Sequence, residues 1–246
     1  MKHLKSLYPF QKDLYTNLDI DAQKSAAKFL GNRRGAVVAI DLDVGGINVL
    51  YSSPAYSINK LSNGMNEDEF QTLIDDPNKP FFNRALQGRY PPASTIKPAI
   101  GMYGLSNNIV NWDFEMKDPG FFTLPETGRI FRGWRKGGHG KVNMHKAFLV
   151  SSNTYFFSLA YQADIEELST HLSSLGFGQK VCLDCFEEDP AFVPTPKWKY
   201  SIMNAGWVKG DTVNLGIGQG YLVATPMQLA NYAAILATKG LYTEPS

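Results

Sequence analysis

Cysteine is nearly absent from this 246-residue chain: there are two, Cys182 and Cys185, as an isolated C-x-x-C. A zinc knuckle wants a second pair or nearby histidines, and the nearest histidine, His171, falls on a helical stretch. The pair is therefore read as two small apolar residues in a loop. No run of 18 apolar residues occurs, so no segment reads as a membrane span. The N-terminal stretch Met1–Phe10 has basic residues but neither an apolar core nor a small-residue cleavage site, so it is read as carrying no export signal. An excess of one charge is missing too. Lys and Arg number 24 against 23 Asp and Glu, net +1, and the signs are interspersed. That argues against nucleic acid or an anionic membrane surface as the main partner. There are no repeats and no low-complexity segments. What is there, at 43% hydrophobic, suffices for a sizeable core in one domain or two small ones.

The most informative positive feature is Ser94-Thr95-Ile96-Lys97, set in Tyr90-Pro-Pro-Ala-Ser-Thr-Ile-Lys-Pro98. One helical turn puts positions i and i+3 on the same face. A lysine amine there can take the proton of the serine hydroxyl if burial or neighbours depress its pKa. Alone, S-x-x-K is a chance match, and its bland reading is a helix start with a solvated lysine. Here Pro91 and Pro92 stiffen the approach, and Pro98 falls in a first helical turn, where a missing N–H is tolerated. The following Ala99–Leu105 is apolar enough to be a buried helix. A second motif, Ser151-Ser152-Asn153, arrives 57 residues after Ser94, between two apolar stretches. The order S-x-x-K then S-x-N is that of the serine acyl-transfer motif set.

Around these motifs the chain alternates helical and strand signals. Asp19–Gly31 reads as a helix with Asp19 as cap and Gly31 as stop. Gly35–Asp41 and Ile47–Ser52 are β-branched runs around the turn Asp43-Val-Gly-Gly46, a β-hairpin. Asn66–Leu73 reads as a short helix, and Asp118–Lys141, rich in Gly, aromatic and basic residues, as a long loop. Met144–Val150 and Thr154–Asp164 read as helices joined by Ser151-Ser-Asn153, since Ser and Asn compete for backbone hydrogen bonds. Ile165–Leu175 is an amphipathic helix ending at Gly176, and Val181–Lys199 is Pro-rich and irregular. Thr225-Pro226 opens a helix running to Gly240.

Two motifs are decoys. Leu124-Pro-Glu-Thr-Gly128 spells a sortase sorting signal, but that signal works at a C-terminus, and here Arg129–Trp134 follows. Gly216-Ile-Gly-Gln-Gly-Tyr221 resembles a dinucleotide fingerprint but has Tyr221 where a third glycine belongs, and no βαβ start precedes it.

Taken together, the chain resembles the transpeptidase domain of the class B penicillin-binding proteins, most closely the elongation-type penicillin-binding protein 2 family of Gram-negative bacteria. The resemblance covers nearly the whole chain. It runs through Arg34–Asp41, Ser52-Ser-Pro-Ala-Tyr56, Asn83-Arg84-Ala85, Tyr90–Pro98, Asp118-Pro-Gly120 and Gly137-Gly-His-Gly140. It continues through Ser151–Phe156, Gly176-Phe-Gly178, Gly216–Tyr221 and Ala224-Thr-Pro226. It implies an α+β penicillin-binding, serine-transpeptidase (β-lactamase-like) fold, and peptidoglycan cross-linking by DD-transpeptidation through a serine acyl-enzyme. It implies stem peptides ending in D-Ala–D-Ala as substrates, β-lactams as inhibitors, a part in cell elongation and shape, and membrane proteins of the elongation machinery as partners. For the full-length family it implies the periplasmic face of the inner membrane.

Residue by residue, the resemblance makes Ser94 the acyl-accepting nucleophile and Lys97 its general base. It makes Ser151 the relay of a proton to the leaving amine, and Asn153 the group that orients the substrate amide. The backbone N–H of Ser94 becomes one oxyanion donor. No cofactor is expected.

The sequence also departs from the family. No K-T-G or K-S-G tripeptide occurs in it. The expectation is therefore a partial transpeptidase domain over residues 1–246, incomplete at its C-terminus: the helical part plus the N-terminal hairpin of the antiparallel sheet. The family's membrane anchor and pedestal are also missing from these residues. Some relatives hold zinc beside the active site through two aspartates, a histidine and a cysteine. Asp118 and His139 stand at matching places, but Gly133 and Ser152 occupy the other two, so no metal is expected. Two alternative readings are an inactive remnant acting as an interaction module, and a serine β-lactamase or β-lactam sensor.

Overall fold

Local signals set the first unit. Asp19 Oδ1 accepts the backbone N–H groups of Asp21 and Ala22, capping α1 (Ile20–Leu30), and Gly31 ends it at φ +53°. The computed structural model describes residues 15–246, so the reading of Met1–Phe10 lies outside the described residues. β1 (Gly35–Ile40) and β2 (Ile47–Ser53) form the antiparallel hairpin, with a bulge between Ala39 and Ile40. Asp41 Oδ1 accepts from Asp43 N at 2.8 Å to close the turn. The Gln23 side chain of α1 is paired in both directions with the backbone of Leu50, at 2.9 and 3.1 Å, which fixes that helix on the hairpin.

Two short surface helices follow, α2 (Ile58–Asn63) and α3 (Glu67–Asp75), the latter capped by Asn66. The chain then enters the core through α4 (Lys97–Ser106). Its buried residues cover more than half of its circumference, and Pro98, Met102 and Leu105 on the remaining side are half-buried, as expected of a helix largely enclosed by others. Glycine makes that enclosure possible: a Cβ at Gly104 would come within 2.7 Å of Leu159 Cδ1. Around α4 lie α5 (Met144–Leu149), α6 (Asn153–Gln162) and α7 (Ile165–Ser174). Ile96, Ile100, Tyr155, Phe156, Leu159 and Leu172 form the centre of the main core. α9 (Lys209–Leu215) packs on α6, and α10 (Pro226–Ala237) packs on β1. Thr225 and Gln228 close a reciprocal capping box at the start of α10, at 3.0 and 3.1 Å, and Pro226 opens its first turn.

The whole is α+β, with a helical part and an antiparallel N-terminal hairpin. Three expectations need correction. The stretch Asp118–Lys141 is not one long loop. β3 (Glu115–Asp118) pairs with β6 (Gly140–Asn143), and β4 (Phe121–Thr123) with β5 (Ile130–Arg132), each antiparallel. Strands of three and four residues are too short to show a period in sequence. The sortase-like Leu124–Gly128 forms the turn between β4 and β5, where Gly128 N donates to Leu124 O at 2.9 Å. Val181–Lys199 is irregular only as far as Thr195, whose hydroxyl caps α8 (Pro196–Met203). Finally, Cys182 and Cys185 are not merely small apolar residues. Cys182 does join a small core with Ile47, Leu86, Val181 and Met227, but the pair is bonded as a disulfide, with Cα atoms 5.4 Å apart.

Candidate active site

The Ser94 loop is built by close backbone approach. Ala93 sits in the left-handed region at φ +50° and donates its N–H to Gly218 O at 2.9 Å. Tyr90 and Ala224 exchange two backbone hydrogen bonds of 2.9 Å. Thr95 Oγ1 donates to Pro92 O at 2.6 Å. A single 3₁₀ turn over Ala93–Ile96 then leads into α4. Ser94 stays exposed at the start of this turn while Lys97, three residues on, is 2% exposed. Among the described residues the Ser94 backbone N–H donates to no acceptor.

The glycines of Gly216-Ile-Gly-Gln-Gly serve this loop. A Cβ on Gly218 would lie 2.2 Å from Ala93 O, and one on Gly216 would lie 2.4 Å from Ala160 Cβ. No real Cβ comes so close, so the spacing that mimics a nucleotide-binding fingerprint is there to seat α9 against α6 and the Ser94 loop.

The second motif comes from the α5–α6 junction. Ser151 adopts φ +50°, a left-handed conformation that costs a non-glycine residue roughly 1–2 kcal/mol. Ser152 caps α6 by accepting from Tyr155 N at 3.2 Å, and donates its own hydroxyl to Asp118 Oδ2 at 2.6 Å. Between them these devices turn Ser151 and Asn153 toward α4.

Four residues meet there. Lys97 Nζ donates to Ser151 O at 2.9 Å, Ser151 Oγ at 2.9 Å and Asn153 Oδ1 at 2.8 Å. Those three bonds use every hydrogen of an ammonium. Ser151 Oγ in turn donates to Ser94 Oγ at 3.1 Å. No hydrogen bond joins Lys97 to Ser94 directly; Ser151 stands between them. Burial holds the Lys97 pKa down at about 8, and among the described residues no carboxylate pairs with it to offset the lost hydration. The Phe156 ring, 5.4 Å from Nζ, adds cation–π support.

Two further residues support the site, and the first of them, Trp134, was not singled out from sequence. Trp134 donates its indole N–H to Val150 O and Ser151 O, both at 3.2 Å, and leans its ring on His139 with centroids 5.2 Å apart. Ser151 O thus takes hydrogen bonds from both Trp134 and Lys97. The other is Asp118. Burial alone would raise its carboxyl pKa, but the hydrogen bonds from the Ser152 hydroxyl and the Gly120 N–H, with His139 nearby, hold it below the ordinary value. The zinc donor set of some relatives does not fit this chain. Gly133 offers no side-chain donor, and the Ser152 hydroxyl is committed to Asp118.

The chain belongs to the penicillin-binding protein transpeptidase domain family, whose sequence pattern it matches over residues 35–246. Within it, the chain is similar to proteins of the penicillin-binding protein 2 branch. Over 246 residues it is 44% identical to peptidoglycan D,D-transpeptidase MrdA of Acinetobacter baumannii, a match that covers 100% of this chain and 37% of that protein. The Escherichia coli MrdA is 37% identical over 233 residues, covering 95% of this chain and 37% of the relative. The chain therefore spans just over a third of the length of these relatives. Among solved structures, Pseudomonas aeruginosa penicillin-binding protein 2, in complex with WCK 5153, superposes with a TM-score of 0.89 at 39% identity. That match covers 93% of this chain and 52% of the other. The Helicobacter pylori penicillin-binding protein 2, in complex with MreC, gives 0.87 at 36% identity, over 93% of this chain and 42% of the other.

Proposed function

We propose that this chain carries the acyl-transfer centre of a peptidoglycan D,D-transpeptidase. The observation that carries the reading is the chain of short contacts Lys97 Nζ–Ser151 Oγ–Ser94 Oγ, at 2.9 and 3.1 Å. With Lys97 neutral, its lone pair accepts the Ser151 hydroxyl proton while Ser151 Oγ accepts that of Ser94. Ser94 Oγ then attacks the carbonyl of the penultimate D-Ala, or the carbonyl of a β-lactam. The free Ser94 N–H, at the head of its turn, points to one oxyanion donor. Collapse of the tetrahedral intermediate breaks the C–N bond, and Ser151 returns the proton from Lys97 to the departing amine. Asn153, held by Lys97 through its Oδ1, keeps its side-chain NH₂ for the substrate amide. An amine of a neighbouring stem peptide then displaces Ser94 and forms the cross-link, in two covalent steps.

The names of the MrdA relatives support this substrate class, and the Helicobacter complex with MreC supports an elongation-machinery partner. Action on cell-wall peptides fits a site on the periplasmic face of the inner membrane. Among the described residues no helix is long and apolar enough to cross a membrane.

The test is intact mass after incubation with penicillin, comparing wild type with Ser94→Ala. The expected result is a long-lived adduct on wild type alone. Rapid release of the adduct to water points to a serine β-lactamase. No adduct on a chain shown folded by circular dichroism overturns the enzymatic reading and leaves an inactive interaction module.

A further inference from the structure

The proposed acyl transfer makes no use of Arg84. Its side chain lines an open cavity of about 510 Å³ together with Arg34, Lys79, Phe82 and Tyr90. Arg84 is 8% exposed, whereas Arg34 and Lys79 are exposed. The turn before Arg84 holds its guanidinium in place. Nη1 donates to Lys79 O and Phe82 O, both at 3.2 Å, and Nη2 donates to Asn78 O. Lys79 turns the chain there at φ +49°, and Arg84 N donates to Ser52 Oγ at 2.9 Å. These carbonyls take three of the five N–H groups of a guanidinium but bring no negative charge. Nε and Nη2 each keep one N–H. With the same two atoms Arg89 grips Asp189, at 2.9 and 2.7 Å. Among the described residues no carboxylate pairs with Arg34, Lys79 or Arg84. Asp76, close by in sequence, is occupied by Asn78, whose N and Nδ2 donate to it at 2.7 and 3.0 Å. The lining thus holds three cations and no acid, and one of the cations is buried. A buried cation without a counter-ion is costly, and an anion entering the cavity offsets that cost.

We propose that this cavity is a binding site for an organic phosphate, with Arg84 as its anchor and Arg34 and Lys79 as flanking charges. The N–H groups left on Arg84 Nε and Nη2 match the oxygens of one phosphate, a geometry that a lysine cannot supply. Three positive charges suit a phosphate monoester, which carries about −1.5 to −2 charge at pH 7, better than a single carboxylate. The Phe82 ring lies 5.6 Å from the Arg84 guanidinium carbon. It and the Tyr90 ring, 37% and 43% exposed, offer the organic part an apolar surface. The ligand is a soluble phosphate ester or the monoester headgroup of a lipid, since both present the same group. The site uses none of Ser94, Lys97, Ser151 and Asn153, and stands whether or not the chain transfers acyl groups.

Phenyl phosphate is the probe, titrated calorimetrically into the full chain at low salt, with phenylacetate as the carboxylate control. The expected result is one phenyl phosphate per chain, bound at least about tenfold tighter than phenylacetate and more weakly as salt is added. Arg34→Gln combined with Lys79→Gln removes two exposed charges, so this double variant leaves the core intact and should weaken binding by about tenfold or more. Arg84→Lys keeps the charge but loses the fork, and should weaken binding by about as much. Vesicles containing phosphatidic acid separate the two sources. Capture of wild type but not of the double variant assigns a lipid headgroup, and calorimetric binding without capture assigns a soluble ester. The proposal is overturned if phenyl phosphate does not bind, or if phenylacetate binds as tightly. It is also overturned if the double variant, shown folded by circular dichroism, binds phenyl phosphate as tightly as wild type.

Discussion

The Ser152 hydroxyl donates to Asp118 Oδ2 across 2.6 Å, with Ser152 0% and Asp118 2% exposed. This one contact ties the end of β3 to the cap of α6, and so to Ser151 and Asn153 on either side of the cap. Asp118 also accepts from Gly120 N at 2.8 Å, which fixes the turn after its own strand. These two hydrogen bonds favour the anion of this buried carboxylate, so its worth varies with pH.

Asp118→Asn tests that dependence. The Asp118 pKa is depressed in the folded state, so its contribution is present above the ordinary aspartate value of about 3.9 and is lost as pH falls through the lower, folded value. Hydrogen bonds to charged groups contribute about 1.5–3 kcal/mol. Denaturant unfolding should show Asp118→Asn less stable than wild type by about that amount at pH 7, with the gap narrowing toward pH 3. A gap that stays constant with pH means the anion is not what holds the S-x-N loop.

Lys97 sets the pH dependence of acylation. Its pKa is lowered by burial to about 8, so at pH 7 roughly a tenth of the chains hold a neutral amine. The rate of acylation by penicillin should rise about tenfold per pH unit below that value and flatten above it. Lys97→Arg stays protonated throughout, and should lose about 10²–10⁴ in rate, the usual worth of a general base. A flat pH profile between 6 and 9 rules out the lysine as the proton acceptor.

How much of this was legible in the sequence depends on the range of the signal. Asp19 and Thr225 announce their helices because capping acts within three residues, and β1 and β2 announce their hairpin through β-branched runs and a glycine turn. The four site residues could be named from S-x-x-K and S-x-N. Their relation could not. That Ser151, rather than Lys97, faces Ser94 follows from the left-handed backbone at Ser151, which no local pattern encodes. α9 was missed because seven residues span barely two turns. The disulfide was missed because C-x-x-C fits several chemistries until the turn around Glu188 is seen. Trp134 gave no signal at all: its partners are backbone carbonyls 16 and 17 residues away.

Trp134 should matter for rate more than for stability. Its ring is largely exposed, so Trp134→Phe keeps the contact with His139 and removes only the N–H that holds Val150 O and Ser151 O. The expected result is acylation slower by about tenfold, which corresponds to ~1.4 kcal/mol of lost transition-state stabilisation. The unfolding midpoint should stay close to wild type. Unchanged acylation means that Lys97 alone pins the Ser151 carbonyl.

Gly218 and Gly128 separate two reasons for keeping a glycine. Both sit at φ +69°. Around Gly128 nothing lies within 4 Å of an added Cβ, whereas at Gly218 it would meet Ala93 O at 2.2 Å. Gly128→Ala should therefore cost only the left-handed penalty, roughly 1–2 kcal/mol. Gly218→Ala carries the same penalty and must also push Ala93 away, breaking the 2.9 Å hydrogen bond from Ala93 N to Gly218 O beside the nucleophile. Its stability loss should exceed that of Gly128→Ala by about 2 kcal/mol or more, in the range of overpacked cores. Penicillin acylation should fall in Gly218→Ala and hold in Gly128→Ala, even at temperatures where both remain folded. Equal losses in the two variants would mean that the Ser94 loop does not depend on the close approach of Gly218, and that the Gly216–Gly220 spacing acts only through backbone conformation.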